Sequence, residues 1–369
     1  MIYLDYNATT PIDKEVAEVM LPFIYGNYGN PSSAHELGIT AKAAVEKARE
    51  QVAVLINCSP EEIIFTSGGS ESNNTVIKGV AFTCRSKGNH IITSTIEHPA
   101  VLNPCKYLVG LDYHISYAPV DEYGIVKIDE FEKLINSQTI LVSIMHSNNE
   151  TGTLEPIKEV SEICHKHGIL FHTDASQSVG KIPIDIQSSG VDFLTIAGHK
   201  LYAPKGVGAL YIREGLSIEP LIHGAGHESG RRAGTENIIF DVALGKACEI
   251  AGKELNNEHI KQLTEYFYTK LKEAFGSRVT LNGHLEKKLP NTLNVSFLGN
   301  DGHDILNSLG DVAASTGSAC HSGLTTISPV LKAMGVSEDT GRGAVRFSLG
   351  RFTTKNEIDT VLERLIKLK

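Results

Sequence analysis

The chain has 369 residues, and its 34 Lys and Arg against 43 Asp and Glu leave a net charge of −9. This mildly acidic composition lacks the clustered basic residues that bind nucleic acid or an anionic membrane surface, so we expect no direct contact with either. The length predicts two domains with a core large enough to need no disulfide or metal to hold it together.

The six cysteines are scattered and form no CxxC pair, which indicates reduced thiols rather than a disulfide framework or a zinc site. Cys164, His165 and His167 fall on a predicted helix without a further ligand, so we predict no metal. No apolar run reaches 18 residues, and residues 1–6 resemble neither a signal nor a transit peptide. We therefore expect a protein of a reducing compartment, most simply the cytoplasm.

Strand-like and helix-like segments alternate from about residue 40 to residue 255. Apolar runs predict strands at 63–65, 91–93, 139–144, 169–172, 192–196 and 207–212. Helical spacing extends from about 157 to 167, and Gly168 stands where a helix C′ glycine belongs. Such alternation predicts an α/β fold with a mostly parallel central sheet covered on both faces.

The pattern changes near residue 256. A helix rich in Lys and Glu comes next, then alternating strands at 292–297 and 344–348, and a helix within 356–369. We predict a large domain over residues 16–255 and a smaller α+β domain over residues 256–369, against which an N-terminal segment, residues 1–15, packs.

The first candidate site is a glycine-rich turn between a predicted strand and a helix expected to begin near Glu71. Gly69 and Ser70 lie in this turn. Free backbone N–H groups and the helix dipole at such a start bind anions. The alternative is an ordinary strand–helix turn with a helix cap.

Asp174 and Lys200 each follow a predicted buried strand, where open parallel sheets place their ligands. The carboxylate of Asp174 could hold a protonated ring nitrogen, or it could cap a helix. A desolvated Lys200 would lose its proton readily and could attack a carbonyl, or it could be an exposed loop lysine. An anion-binding turn, a strand-end carboxylate and a strand-end lysine together match what pyridoxal phosphate requires.

A series of motifs in this order resembles the cysteine desulfurases and selenocysteine lyases of the class-V aminotransferase branch, whose fold is the PLP-dependent transferase (aspartate aminotransferase-like) fold. The resemblance covers nearly the whole chain. The matching stretches are residues 3–11, 29–33, 67–74, 97–98, 148–152, 172–177, 198–200, 232–235, 317–320 and 346–351.

The resemblance implies a role for each matching residue around the cofactor. Lys200 would bind the cofactor aldehyde, Asp174 would pair with the ring nitrogen, and Gln177 with the ring hydroxyl. His98 would stack on the ring and assist proton transfer. The phosphate would be held by Gly69, Ser70 and His199.

Further roles implied by the resemblance concern the substrate and a second subunit. Asn148 and Arg346 would bind the substrate carboxylate, and Asn148 would also contact the cofactor. Thr235 would reach the phosphate of the other subunit, which implies a homodimer. Ala197 departs from the family, because relatives often have there a serine that donates to the phosphate.

Cys320 would be the nucleophile, although a buried small apolar side chain is the usual alternative for a free cysteine. The stretch 318–323 is small and polar, and His321 could help deprotonate the thiol. A helix predicted to begin near Ser328 leaves a loop typical of the family's long-loop group, which delivers persulfide to partner proteins.

The resemblance therefore implies a cysteine desulfurase that converts L-cysteine to L-alanine with a persulfide on Cys320. The sulfur would pass to an acceptor protein, either a scaffold for iron–sulfur clusters or a tRNA-modifying enzyme. Two alternatives stay open, namely a selenocysteine lyase and a sulfur-relay subunit that acts mainly through partner binding.

Overall fold

The computed structural model describes residues 1–255, 258–316 and 327–367. The strands of these residues are β1 Ile2–Tyr3, β2 Ile63–Thr66, β3 His90–Ser94, β4 His114–Ala118, β5 Thr139–Ser143, β6 Leu170–Asp174, β7 Phe193–Ala197, β8 Gly208–Ile212, β9 Val279–Leu281, β10 Thr292–Phe297, β11 Val312–Ala313 and β12 Ala344–Ser348. The helices are α1 Lys14–Tyr25, α2 Glu36–Ile56, α3 Gly69–Thr83, α4 Pro99–Val109, α5 Ile128–Leu134, α6 Ile157–Lys166, α7 Ile186–Ser189, α8 Ile238–Glu254, α9 His259–Phe275, α10 Gly302–Ser308, α11 Pro329–Ala333, α12 Glu338–Arg342 and α13 Lys355–Ile366.

The main sheet has the strand order β2-β8-β7-β6-β5-β3-β4. Strands β3 to β7 run parallel, whereas β8 is antiparallel to both of its neighbours. Apolar clusters cover the sheet on both faces, one of them containing residues of α2, α6 and α8 and the other residues of α3 and α4. The predicted α/β class with a mostly parallel sheet is confirmed.

Local sequence signals agree with the structure at most element ends. Gly168 has φ +66 directly after α6, as a C′ glycine should, and Ser328 caps α11 through its hydroxyl. Helix α3 begins at Gly69, two residues earlier than predicted, because Gly68 at φ +140 lets the chain turn sharply after β2. Strand β4 was not predicted, because this half-exposed edge strand has no continuous apolar run.

Residues beyond 258 build a second centre of packing. Strands β9, β10 and β12 form an antiparallel sheet, and its apolar side chains cluster with α9, α13 and Leu4. Strand β1 pairs with β11 in parallel. Val330 and Leu331 of α11 belong instead to the cluster of the main sheet. The division at residues 15 and 255 stays a prediction.

No helix of the described residues has the length and apolar character needed to cross a membrane.

Candidate active site

The candidate residues gather where parallel strands of the main sheet end. Asp174 is the last residue of β6, and β7 leads into a 3₁₀ turn, Gly198–Lys200. Strands β6 and β7 are parallel neighbours, so Asp174 and Lys200 lie at the same edge of the sheet. The negative charge of Asp174 favours protonation of His98 and of Lys200.

The Lys200 amine is desolvated and donates to two backbone carbonyls of the N-terminal segment. One acceptor is the oxygen of Ala8, at 2.7 Å, and the other is the oxygen of Asn7. Burial lowers the pKa of Lys200 to about 8, and the positive charge of Arg346 adds to the effect. About a tenth of the amine is therefore unprotonated at pH 7, and this form is the nucleophile.

The Asp174 carboxylate is buried and fixed from two sides. Its Oδ2 accepts from Asn73 Nδ2 at 2.7 Å, and its Oδ1 accepts from the backbone N–H of Ser176 at 3.0 Å. The contact with Ser176 is the kind of turn contact expected if Asp174 has a capping role, the alternative stated above. Both functions fit one carboxylate, because each oxygen has further acceptor capacity.

His98 caps the start of α4, and the residue as a whole is partly exposed to solvent. Its Nδ1 accepts from the backbone N–H of Ala100 at 3.1 Å, which assigns the ring proton of the neutral form to Nε2. Desolvation in the cleft and the charge of Lys200 lower the pKa of His98. The ring is therefore neutral near pH 7 and free to exchange the Nε2 proton.

The glycine-rich turn leads directly into α3, whose N-terminus has no side-chain cap. Gly69 faces the strand ends closely, since a Cβ there would lie 3.0 Å from Ser176 Oγ and 3.4 Å from Ala197 Cβ. Ser70 is exposed in the first turn. Uncapped N–H groups beside a hydroxyl have the chemistry of an anion site.

Glu71 in the first turn of α3 stabilises the glycine-rich turn, whereas His199 contacts the N-terminal segment. Glu71 accepts from the backbone N–H of Ser67 at 2.8 Å and from Arg232 Nε at 2.9 Å. Burial alone would raise the pKa of Glu71, but these hydrogen bonds outweigh it and lower the pKa. His199 Nδ1 lies 3.2 Å from Thr9 Oγ1, and burial with the charge of Lys200 lowers its pKa to about 4.

Arg346 is buried in β12 and faces the same cleft. Its Nη2 donates to Asp5 Oδ1 at 2.7 Å and its Nη1 to the backbone oxygen of Asn149 at 2.9 Å. Its buried Nε has no hydrogen-bond partner among the described residues. An orphaned guanidinium N–H is costly unless a ligand completes it, which suits an incoming carboxylate.

The amide of Asn148 is already engaged in its own loop. Its Oδ1 accepts from the backbone N–H groups of Glu150 at 2.8 Å and Thr151 at 3.0 Å, and its Nδ2 donates to the oxygen of Ile96 at 3.1 Å. Asn149 is half-buried, and the described contacts leave its side-chain amide unused. The sequence identified the motif at 148–152, which contains both asparagines. The hydrogen bonds favour Asn149 over Asn148 as the amide that faces a ligand.

Gln177 is buried with both ends of its amide in use. Its Nε2 donates to the oxygen of Asn7 at 2.9 Å, and its Oε1 accepts from Lys181 Nζ at 2.9 Å. Sequence reasoning assigned no role to Asn7, Asn73 or Lys181, although Asn7 and Asn73 lie in matching motifs. Thr235 is exposed, and the predicted nucleophile Cys320 lies outside the described residues.

These side chains fit pyridoxal phosphate. An amine of lowered pKa, a fixed buried carboxylate and an uncapped helix start can take the aldehyde, the ring nitrogen and the phosphate, respectively. The orphaned Arg346 Nε adds a donor for a substrate carboxylate. No cluster of His, Cys, Asp and Glu that could hold a metal ion occurs in the described part of the chain.

Comparison with known proteins extends over the whole chain. A family model described as Aminotransferase class-V matches residues 2–361. A cysteine desulfurase IscS of Dictyoglomus turgidum is 49% identical over 99% of this chain and 94% of its own length. One of Methanosarcina thermophila is 47% identical over 98% and 90%. The solved structure of a NifS-like protein has a TM-score of 0.93 and 41% identity, and covers 100% of this chain and 98% of its own.

Proposed function

The chain belongs to the class-V aminotransferase family and within it to the cysteine desulfurases, and from this premise we propose that it converts L-cysteine to L-alanine and carries the sulfur as a persulfide on Cys320. The observation that carries the proposal is the desolvated Lys200 amine, which shares one cleft with Asp174 and Arg346. An amine, an acid and a guanidinium group so arranged suit an amino-acid substrate and pyridoxal phosphate.

Pyridoxal phosphate, when bound, supplies an electron sink for the charge that develops at the substrate Cα. Lys200 would hold its aldehyde, Asp174 its ring nitrogen and Gln177 its ring hydroxyl. Gly69, Ser70 and His199 would hold the phosphate. Asn73 serves the carboxylate of Asp174, because its amide keeps that group oriented.

Arg346 binds and orients the substrate carboxylate in this proposal. Its Nε and a neighbouring N–H can form the two parallel bonds that favour arginine over lysine at such sites. Asn149 supplies a nearby amide donor in place of the predicted Asn148. The ion pair with Asp5 holds the guanidinium group at 2.7 Å and restricts its rotation.

Two side chains move protons. The Lys200 amine takes the proton from the substrate Cα, which its lowered pKa permits near neutral pH. His98 is neutral in the same range and can pass its Nε2 proton. Because Lys200 and His98 lie in the same cleft, both can transfer protons in one reaction.

Sulfur leaves the substrate by nucleophilic attack. The thiolate of Cys320 forms an S–S bond with the substrate sulfur while the Cβ–S bond breaks. The electron pair of the broken bond stays on Cβ, which gains a proton and becomes the methyl group of L-alanine. One thiol and one L-cysteine thus give one persulfide and one L-alanine, with no external oxidant.

The direct test is sulfide release from L-cysteine by the holoenzyme with a thiol reductant present. Sulfide and equimolar L-alanine from the wild type, and neither from Cys320→Ala with an unchanged cofactor spectrum, are the expected results. Persulfide on the Cys320→Ala variant would contradict the assignment. Release from selenocysteine but not from cysteine would point instead to the lyase alternative.

We further propose that the enzyme is a homodimer and passes its persulfide to an acceptor protein. The support is an apolar stripe on α1, whose members Leu21, Ile24 and Tyr25 are exposed, and Tyr28, three residues beyond the end of the helix, is exposed as well. Thr235 is exposed and available to a second subunit.

A cytoplasmic location is supported by five free thiols among the described cysteines.

A further inference from the structure

Lys181 occupies an unusual position next to the candidate active site. Its amine donates to Gln177 Oε1 at 2.9 Å and to Asn7 Oδ1 at 3.2 Å. Both partners are neutral amides. Lys181 and Lys200 also line the same cavity, of about 820 Å³.

Desolvation of the Lys181 amine is energetically unfavourable, and filling space would not require an amine at this position. Lys181 is half-buried, and a lysine without a carboxylate partner is costly in such a place, because its charged form loses solvation. Desolvation and the charge of Lys200 lower the pKa of Lys181 well below its usual value. The amine donates to the two oxygens on Gln177 and Asn7.

The contact with Lys181 determines which way the Gln177 amide points. Because Lys181 donates, Oε1 must face it, and Nε2 then faces the oxygen of Asn7. The Lys200 amine donates to that same oxygen. The amide N–H groups of Gln177 are therefore placed beside the amine of Lys200.

This placement suits the chemistry of the cofactor. In pyridoxal phosphate the ring hydroxyl is attached next to the aldehyde, so a donor beside Lys200 can reach the hydroxyl oxygen. The described contacts use one Nε2 proton of Gln177 and leave the other for such an acceptor. A flipped amide would direct Oε1 at that oxygen, and two acceptors would repel each other.

We propose that Lys181 is a positioning residue that holds the Gln177 amide in the orientation that donates to the ring hydroxyl. The inference rests on the proposed use of pyridoxal phosphate and assigns no contact between Lys181 and substrate or cofactor. It predicts that removal of the Lys181 amine acts on cofactor binding only as long as Gln177 is present.

The first test compares Lys181→Met with Lys288→Met. Lys288 lines the same cavity, is also desolvated and donates to a backbone oxygen, that of Thr292 at 3.2 Å. The affinity of the cofactor-free protein for pyridoxal phosphate is expected to fall about tenfold in Lys181→Met, as for one lost buried hydrogen bond, and to stay unchanged in Lys288→Met. The pH at which the visible absorbance of the holoenzyme changes should rise by about one unit in Lys181→Met alone.

The second test is a double-mutant cycle with Gln177→Leu. If Lys181 acts through Gln177, then Lys181→Met should weaken cofactor binding less than about twofold in the Gln177→Leu background. Effects that multiply would overturn the proposal, and so would equal behaviour of Lys181→Met and Lys288→Met.

A folding defect would be visible in the melting temperature of the cofactor-free protein. If Lys181→Met melts lower than Lys288→Met, the double-mutant cycle decides, because a general loss of stability would persist in the Gln177→Leu background whereas a positioning effect would not. These readouts need no turnover, so a wild type without sulfide release refutes the proposed function separately.

Discussion

Ala197 ends β7 three residues before Lys200, and its methyl group lies beside the glycine-rich start of α3. We predict that Ala197→Ser binds pyridoxal phosphate about threefold to tenfold more tightly, because the hydroxyl adds a donor at the anion site. Equilibrium titration of the cofactor-free protein measures the change. Ala197→Val is the steric control and should bind more weakly, since its larger side chain would crowd Gly69. Equal affinities of the serine variant and the wild type would show that the phosphate lies elsewhere.

A second prediction at the residue scale follows from the lowered pKa of Lys200. Only the unprotonated amine can attack an aldehyde, so the protonated fraction limits the rate of cofactor capture below the pKa. The capture rate should therefore rise about tenfold per pH unit and level off above about pH 8. Stopped-flow absorbance of the cofactor-free protein measures this profile.

Nα-acetyl-lysine is the control for that profile, because its free side chain keeps an ordinary pKa of about 10.4. Its capture rate should still be rising at pH 9. A protein profile that follows the free amino acid would mean that Lys200 is solvated. If the protein profile does level off near pH 8, Arg346→Met tests how much of the lowered pKa of Lys200 comes from the neighbouring positive charge. Removing that charge should shift the plateau to higher pH.

At the scale of elements, the side chain of Ser328 connects the start of α11 to Glu150, which lies in the same loop as Asn148 and Asn149. Ser328 Oγ accepts from the backbone N–H of Val330 at 3.1 Å and donates to Glu150 Oε2 at 2.5 Å. Glu150 is buried, and desolvation raises its pKa to about 7. The serine therefore caps a helix and also satisfies a buried carboxyl group.

We predict that Ser328→Ala lowers the free energy of unfolding by about 2–3 kcal/mol, because the helix loses its cap and the carboxyl group loses a hydrogen bond. Urea denaturation of the holoenzyme measures the loss. Ser337→Ala is the matched control, since Ser337 caps α12 through the N–H of Thr340 at the surface. It should cost about 1 kcal/mol or less. Equal losses would mean that Glu150 gains nothing from Ser328.

At the scale of the whole molecule, we expect the apolar stripe of α1 to be the contact between two subunits. Tyr25 at the end of the stripe and Tyr28 beyond the helix are 81% and 73% exposed, respectively, which is unusual for large aromatic side chains in a monomer. We predict a mass of two subunits by light scattering. Ile24→Glu with Tyr25→Glu should give the monomer, because burying two carboxylates opposes association.

Val54→Glu is the control for the dimer, because Val54 is 80% exposed and lies far along the chain from the stripe, at the end of α2. This variant should stay dimeric. If Thr235 of the second subunit completes the phosphate site, the monomer should also bind the cofactor at least tenfold more weakly. A monomeric wild type with full cofactor affinity would refute the shared site.

Much of the fold is predictable from local patterns. The buried strands β2, β3, β5, β6, β7 and β8 coincide with apolar runs, since a strand covered on both faces must be apolar throughout. The edge strand β4 was not predicted because only one of its five residues is buried, so it has no apolar run. The cofactor could also be predicted without the tertiary structure, because the order of the motifs in the sequence is enough to show the resemblance to the family.

The amino-acid sequence by itself determined the α/β class, the cleft motifs and the choice of Asp174 and Lys200 as chemical groups. Tertiary structure alone decided which amides are free, because hydrogen-bond partners come from distant parts of the chain. It joins the Asn148 amide to the distant backbone oxygen of Ile96, leaves Asn149 open and joins Asn7, Gln177 and Lys181 into one network. It also decided the pKa of Lys200, since desolvation depends on what packs around an amine and not on its neighbours in sequence.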